Sequence, residues 1–221
     1  MTTTRRAALM GLATVLPLSL AGEAMAKTKA FEIGKLFPYL DLFYSIPAKD
    51  RTRFTIAYFY RVTAGGPMTI TLVAASGTRT PLPLAADGRV TRLPTLADIK
   101  GKAKLELEAP EGSKFGGGIA MLAKVAPAAT LNAGELSAAI LQCQSAIKAK
   151  AGLIGFAAPR IKRVVFRGAG SGTGLDGSGA AKPLPMAKLG PAYDPEQMPG
   201  IVTIKLARAP SHIELDERPK K

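Results

Sequence analysis

The chain has 221 residues but only one cysteine, one histidine and no tryptophan. With Cys143 alone, no intramolecular disulfide can form. The residue reads as a small buried hydrophobe rather than a reactive thiol. With His212 alone, no second imidazole is present to share a metal or complete a relay, and no ligand spacing suggests zinc. No serine sits in a G-x-S-x-G elbow. Acidic residues are scarce, and only Asp41, Asp50 and Asp194 have apolar or aromatic neighbours in sequence that could raise a carboxyl pKa. Paired-carboxylate hydrolysis stays open, because such pairs need not be close in sequence. The expectation is a protein with no cofactor, no metal and no catalytic residue that can be named.

What the chain does have begins at its N-terminus. Arg5 and Arg6 precede an apolar run from Ala7 to Gly22, and Ala24-Met25-Ala26 offers a small-x-small cleavage site. This three-part layout predicts a secretory signal peptide over residues 1–26, cut between Ala26 and Lys27. The run is too short for a membrane span, which needs about 20 apolar residues. No transmembrane segment is therefore expected after processing. Thr4, Arg5, Arg6 and Leu9 resemble the twin-arginine export motif, although Ala8 stands where a large apolar residue is usual. No cysteine near the cut suggests a lipoprotein. The mature protein is expected in the periplasm.

Over the whole chain, 30 Lys and Arg against 16 Asp and Glu, a formal net charge of +14, bear on partners rather than on fold. Nucleic acid is not expected. The available polyanions are lipid headgroups, lipopolysaccharide phosphates and peptidoglycan carboxylates, and an envelope protein is the other candidate partner.

Alternation marks the strands. In "FTIAYFYRV", Ile56, Tyr58, Tyr60 and Val62 share one face, with Ala57, Phe59 and Arg61 on the other. Met68, Ile70, Leu72 and Ala74 alternate in the same way, as do Ala103, Leu105, Leu107 and Ala109. Asp87-Gly88 suits a hairpin turn. Pro81 and Pro83 put that arm at a sheet edge. One long helix is predicted at 133–151, with Asn132 as N-cap, Glu135 three residues on, and Gly152 as a stop. Leu136, Ala139, Ile140, Cys143 and Ile147 form its apolar stripe. Strands are expected again at 161–167 and in "IVTIKLA".

The segment "GAGSGTGLDGSG" contains G-x-G-x-x-G at Gly172, Gly174 and Gly177. A dinucleotide loop needs a helix after its glycines to present aligned N–H groups to phosphate. Here Pro183, Pro185 and Pro191 follow instead, so the stretch reads as a mobile inter-strand loop and not a nucleotide site. "PLP" recurs at 81–83 and 183–185, a faint sign of internal duplication.

These elements predict an α+β fold: an antiparallel, partly sandwich-like, β-rich sheet with one long amphipathic helix packed on it. A single domain is expected over 27–215, with β-rich halves at 27–130 and 160–215, and a charged flexible tail at 216–221. Nine of the thirteen Phe and Tyr residues lie between positions 31 and 60. Either they are all core, or one face of the strand lines a groove in which Tyr58 and Tyr60 stack on a ligand and Arg51, Arg53 and Arg61 favour an acidic one. The leading functional expectation is a non-enzymatic binder of an anionic envelope component or envelope protein. The alternative is a carboxylate-dependent hydrolase of cell-wall or carbohydrate material.

Overall fold

The computed structural model describes residues 26–154 and 159–218. All but the last residue of the expected signal peptide lies outside these. The fold is α+β, with every strand pair antiparallel and one long helix. The first half of the chain runs β1 (Ala26–Glu32), α1 (Ile33–Leu36), α2 (Leu40–Tyr44), β2 (Phe54–Ala64), β3 (Thr69–Val73), β4 (Arg79–Pro81), α3 (Leu96–Lys100), β5 (Lys104–Pro110) and β6 (Lys114–Ala123). The second runs β7 (Thr130–Asn132), α4 (Ala133–Ile154), β8 (Ile161–Phe166), β9 (Gly172–Asp176), β10 (Ala181–Pro183), β11 (Met186–Ala187), β12 (Gly190–Tyr193), β13 (Ile201–Leu206) and β14 (Ile213–Glu217).

The alternating strands turn their apolar faces as expected. Ile70, Leu72, Leu105 and Leu107 are buried, as are Phe54, Ile56, Tyr58 and Tyr60. β4, which ends at Pro81 and is followed by Pro83, is an edge strand. The Asn132 carboxamide oxygen accepts from Glu135 N–H at 3.1 Å, starting α4, and the stripe from Leu136 to Ile147 is buried in the main core. The helix runs past Gly152 to Ile154. A helical glycine costs only about 1 kcal/mol, too little to end a helix alone.

Two expectations need correction. The glycine-rich stretch is not a mobile loop: residues 172–176 form β9, paired with β10 and β13. A Cβ on Gly172 would lie 2.7 Å from Leu206 and 2.8 Å from Leu184, and one on Gly174 would lie 2.9 Å from Ile201. These glycines serve close packing rather than flexibility. The next turn is also fixed, because Asp176 Oδ1 accepts from Ser178 N–H, Ser178 Oγ–H and Ala180 N–H. The second correction concerns the tail. Residues 216 and 217 belong to β14, and Arg218 bonds Asp194 and Glu196; only 219–221 lie outside the described residues.

The two halves follow the same path. One four-stranded sheet has the order β1-β5-β3-β4, the other β7-β13-β9-β10, so corresponding strands hold corresponding places. In each half a helical segment follows the first strand. A strand of the central sheet comes next (β2 or β8), and the half closes on a strand antiparallel to it (β6 or β14). The central sheet, β11-β12-β8-β14-β6-β2, joins the halves through β14 and β6. The sequence echo is longer than "PLP": "PLPLAADG" at 81–88 matches "PLPMAKLG" at 183–190. Both segments fold back against an edge of the central sheet. Gly88, at φ +85°, lies so close to Tyr60 that a Cβ would sit 2.3 Å from its carbonyl oxygen. Gly190, at φ +148°, meets the Phe166 carbonyl at the same 2.3 Å. Tyr60 and Phe166 therefore correspond, and so do the residues after them, Arg61 and Arg167.

The helices cover one face of the central sheet. On the other face Ala57, Leu122, Val165 and Ala192 are buried yet stand apart from the main core. On that face the Phe59 ring of β2 lies 5.1 Å from the ring of His212, the residue before β14.

Candidate functional site

The tyrosines of β2 do not line a groove. Tyr58 is 1% exposed and Tyr60 7%, and the Phe37 ring meets both edge-on at 4.9 and 6.2 Å. The Tyr58 hydroxyl donates to the Pro38 carbonyl at 2.6 Å, and the Tyr60 hydroxyl to that of Leu36. Burial raises both phenol pKa values, that of Tyr60 to about 12. Neither ring has a free face for a ligand.

The three arginines are also separated. The Arg51 guanidinium lies over the Phe43 and Tyr44 rings at 5.2 and 5.6 Å, and its Nε–H donates to the Ile46 carbonyl. Arg53 lines a shallow depression with Lys124 and Glu135, and its backbone N–H donates to Gln142. Arg61 lies eight residues further along the strand, about 26 Å away at 3.3 Å per residue. Of the five expected binding residues, Arg61 alone reaches the site described next.

That site is a cleft of about 360 Å³ on the same face as Phe59, lined by Phe59, Arg61, Asp87, Arg167, Lys188 and His212 among others. β2 supplies Phe59 and Arg61 from the face opposite the tyrosines. Asp87 comes from the turn closed by Gly88, and Lys188 from the matching turn closed by Gly190. The two turns, like Arg61 and Arg167, are contributed one by each half, so the cleft lies where the halves converge.

His212 is the floor, with its side chain 7% exposed. Nδ1 is 3.2 Å from Ser211 Oγ and 3.5 Å from Asp87 Oδ2. Ser211 and Asp87 thus meet the same ring nitrogen, which is not the arrangement of a serine–histidine–carboxylate relay, where hydroxyl and carboxylate engage opposite nitrogens. Burial pushes the imidazole pKa below its usual value. Arg167 and Arg89 add to that push, and Asp87 opposes it without overcoming it. Arg167 Nε is 3.7 Å from Glu214, whose carboxyl pKa is raised chiefly by burial.

Two buried nitrogens of lining residues have no hydrogen-bond partner, His212 Nε2 and Arg167 Nη1, while Arg89 Nε, outside the lining, lies 3.9 Å from Asp87 Oδ2. Each unmade bond of a buried polar group costs about 1–3 kcal/mol. Arg167 Nη1 can only donate, whereas on a neutral His212 ring whose Nδ1–H faces the Asp87 carboxylate, Nε2 is left as an acceptor. Asp87 is the one carboxylate among the named lining residues, set against Arg61, Arg167 and Lys188.

Carboxylates elsewhere have structural work. Asp194, 3% exposed, accepts from the backbone N–H of Glu196 and Gln197 and from Arg218 at 2.7 Å. Lys162 and Arg218 hold Glu196 below the usual carboxylate range. Asp41 and Asp50 are exposed. Cys143 is fully buried, and burial pushes its thiol up to about 12. Among the described residues, no three His, Cys, Asp or Glu side chains converge as metal ligands, and no helix is long and apolar enough to cross a membrane.

Composition hid the cleft, because His212, Arg167, Asp87 and Lys188 come from separate segments. The one signal that could have found part of it is the repeat, which pairs the turn of Asp87 with that of Lys188 and Arg61 with Arg167.

Fold and cleft together define the class: an antiparallel α+β protein whose two halves share one strand order, with a basic cleft at their junction. No family model, curated protein or solved structure matches the chain.

Proposed function

We propose that this is an exported, periplasmic, non-enzymatic protein that binds an anionic component of the cell envelope through the cleft of Arg61, Arg167 and Lys188. The observation that carries this reading is the buried, unpartnered Arg167 Nη1 in that cleft, with Arg61 and Lys188 beside it. An oxyanion accepts several hydrogen bonds at once and would engage the guanidinium groups with charge-assisted bonds. Asp87 beside His212 favours a group presented at one side of the cleft over a large polyanion lying flat across it. The net positive charge of the chain supports association with an anionic surface.

The test is co-sedimentation of the purified protein with envelope membranes, with and without the Arg61→Ala/Arg167→Ala pair. Removing two cations should lower capture by at least tenfold at low ionic strength. The difference should narrow at high salt, where exposed charges are screened. Capture that is indifferent to both substitutions and to salt overturns the proposal. Release of soluble cell-wall fragments, abolished by substituting a carboxylate, would establish the hydrolase instead.

A further inference from the structure

On the helix-covered face of the central sheet, directly where the halves meet, lies a second concavity of about 340 Å³. Its floor is apolar: Ile56 and Met121 from the first half, Ile161 and Leu215 from the second. α2 forms one wall with Phe43, and α4 forms the other with Ile147. Met121 and Leu215 are cross-strand partners in the β6·β14 pair that joins the halves. We propose that this groove holds the hydrocarbon chain of a single-chain anionic amphiphile, with Lys150 at its edge receiving the head group.

Three observations carry the proposal. The first is exposure at the rim, where Tyr39 is 58% and Ile119 44% exposed although both line the groove. Tyr39 also adopts φ +65°, a left-handed conformation that costs a non-glycine residue about 1–3 kcal/mol and occurs preferentially at ligand sites. Here it sets an aromatic ring at the mouth. The second is charge. The groove is lined by three acidic residues, and each is engaged: Glu214 by Arg167 at 3.7 Å, Asp216 by Arg163 at 2.6 Å, and Glu217 by the Arg160 N–H at 2.7 Å. Lys150 has no ion pair among the described residues, leaving a cation beside an apolar slot. The third is size. The volume falls at the lower end of small-molecule sites, roughly 300–1,000 Å³. A docked helix about 10 Å across would fill it with less than one 5.4 Å turn, so a flexible chain fits and an amphipathic helix does not. The groove and the basic cleft lie on opposite faces of the sheet, so this inference does not depend on the proposed anion cleft.

The experiment titrates the full purified chain with an 11-carbon fatty acid bearing a dansyl fluorophore, then displaces it with oleate or with oleyl alcohol. The expected result is saturable 1:1 binding at micromolar concentration. Met121→Trp, which fills the floor from a partly exposed position, should weaken it at least tenfold while the melting temperature holds. Lys150→Glu should weaken displacement by oleate several-fold and leave oleyl alcohol nearly unchanged. Arg61→Ala should alter neither. Should Met121→Trp melt early, Ile119→Glu at the rim provides the same readout from an exposed site. Binding that no groove substitution alters, or no saturation below 100 times the expected concentration, overturns the proposal. So does oleate binding that is insensitive to Lys150→Glu, or preference for an amphipathic peptide over either lipid.

Discussion

Adding one methyl group at each of two corresponding glycines tests both the close turn and the duplication. Gly88→Ala would place a Cβ 2.3 Å from the Tyr60 carbonyl oxygen, at a φ of +85°. Gly190→Ala would do the same against Phe166, at a φ of +148°. The obstacle in both cases is backbone, which cannot rotate aside as a side chain does. Forcing a non-glycine residue into such a conformation costs about 1–3 kcal/mol, and overpacking adds about 1–3 kcal/mol. A loss of about 3 kcal/mol for each variant is the central expectation. At roughly 2–4 °C per kcal/mol for a chain of this size, the melting temperature should fall by about 6–12 °C. Gly177→Ala is the internal control, since its Cβ would meet nothing within 4 Å and its φ is not positive. Differential scanning calorimetry of the three variants suffices. If Gly88→Ala and Gly190→Ala melt with the control, the turns are not held against the sheet, and the structural equivalence of the halves fails at the point where it is best defined.

Three further outcomes are expected. Deleting residues 170–177 should abolish cooperative unfolding or lower the melting temperature by tens of degrees, because it removes β9 from the middle of a four-stranded sheet; a near-native calorimetric trace would restore the loop reading. Tyr58→Phe should cost about 1–3 kcal/mol in denaturant titration, by orphaning the Pro38 carbonyl, whereas Arg61→Ala should stay within about 0.5 kcal/mol, as exposed substitutions do; equal losses would contradict the assignment of the two faces of β2. Because the folded-state pKa of His212 is lowered, the unfolded chain binds the extra proton more readily, so stability should be fully present above about pH 6.5 and be lost as pH falls through the lower folded value; His212→Gln should flatten that limb, and an unchanged pH profile would show that the imidazole does not titrate with folding.

The sequence was most legible where a period was strict. Alternation at 54–62, 68–74 and 103–109 identified strands and their inward faces, because one side of each is buried against the core and the other is not. The stripe from Leu136 to Ile147 identified α4 for the same reason at a different period. At β2 the parity was right, and the tyrosine face is buried core rather than the wall of a groove. Tyrosine suits both a core and a groove, and nothing local says that Pro38 and Leu36 offer carbonyls to bury its hydroxyl. The glycines of 170–177 failed for a related reason, since a glycine that frees the backbone and one that admits a neighbour look alike until Leu206, Leu184 and Ile201 are placed above it. The repeat was underestimated because its offset drifts, from 102 across "PLP" to 106 between Arg61 and Arg167, as connections of unequal length separate the strands.

A cleft between two copies of one motif would, if the copies were still alike, offer a ligand two poses of equal energy. The two halves differ there, which removes that choice. The turn that supplies Asp87 in the first half supplies Lys188 and Leu189 in the second. The pairings of Tyr60 with Gly117 and of Phe166 with Ile213 place His212 opposite the role of Gly116. The cation at each strand end was kept, while the imidazole and its carboxylate neighbour come one from each half with no counterpart in the other. A bound oxyanion would therefore meet guanidinium on both flanks and a directional partner at only one end, so each molecule should bind one ligand in a single orientation.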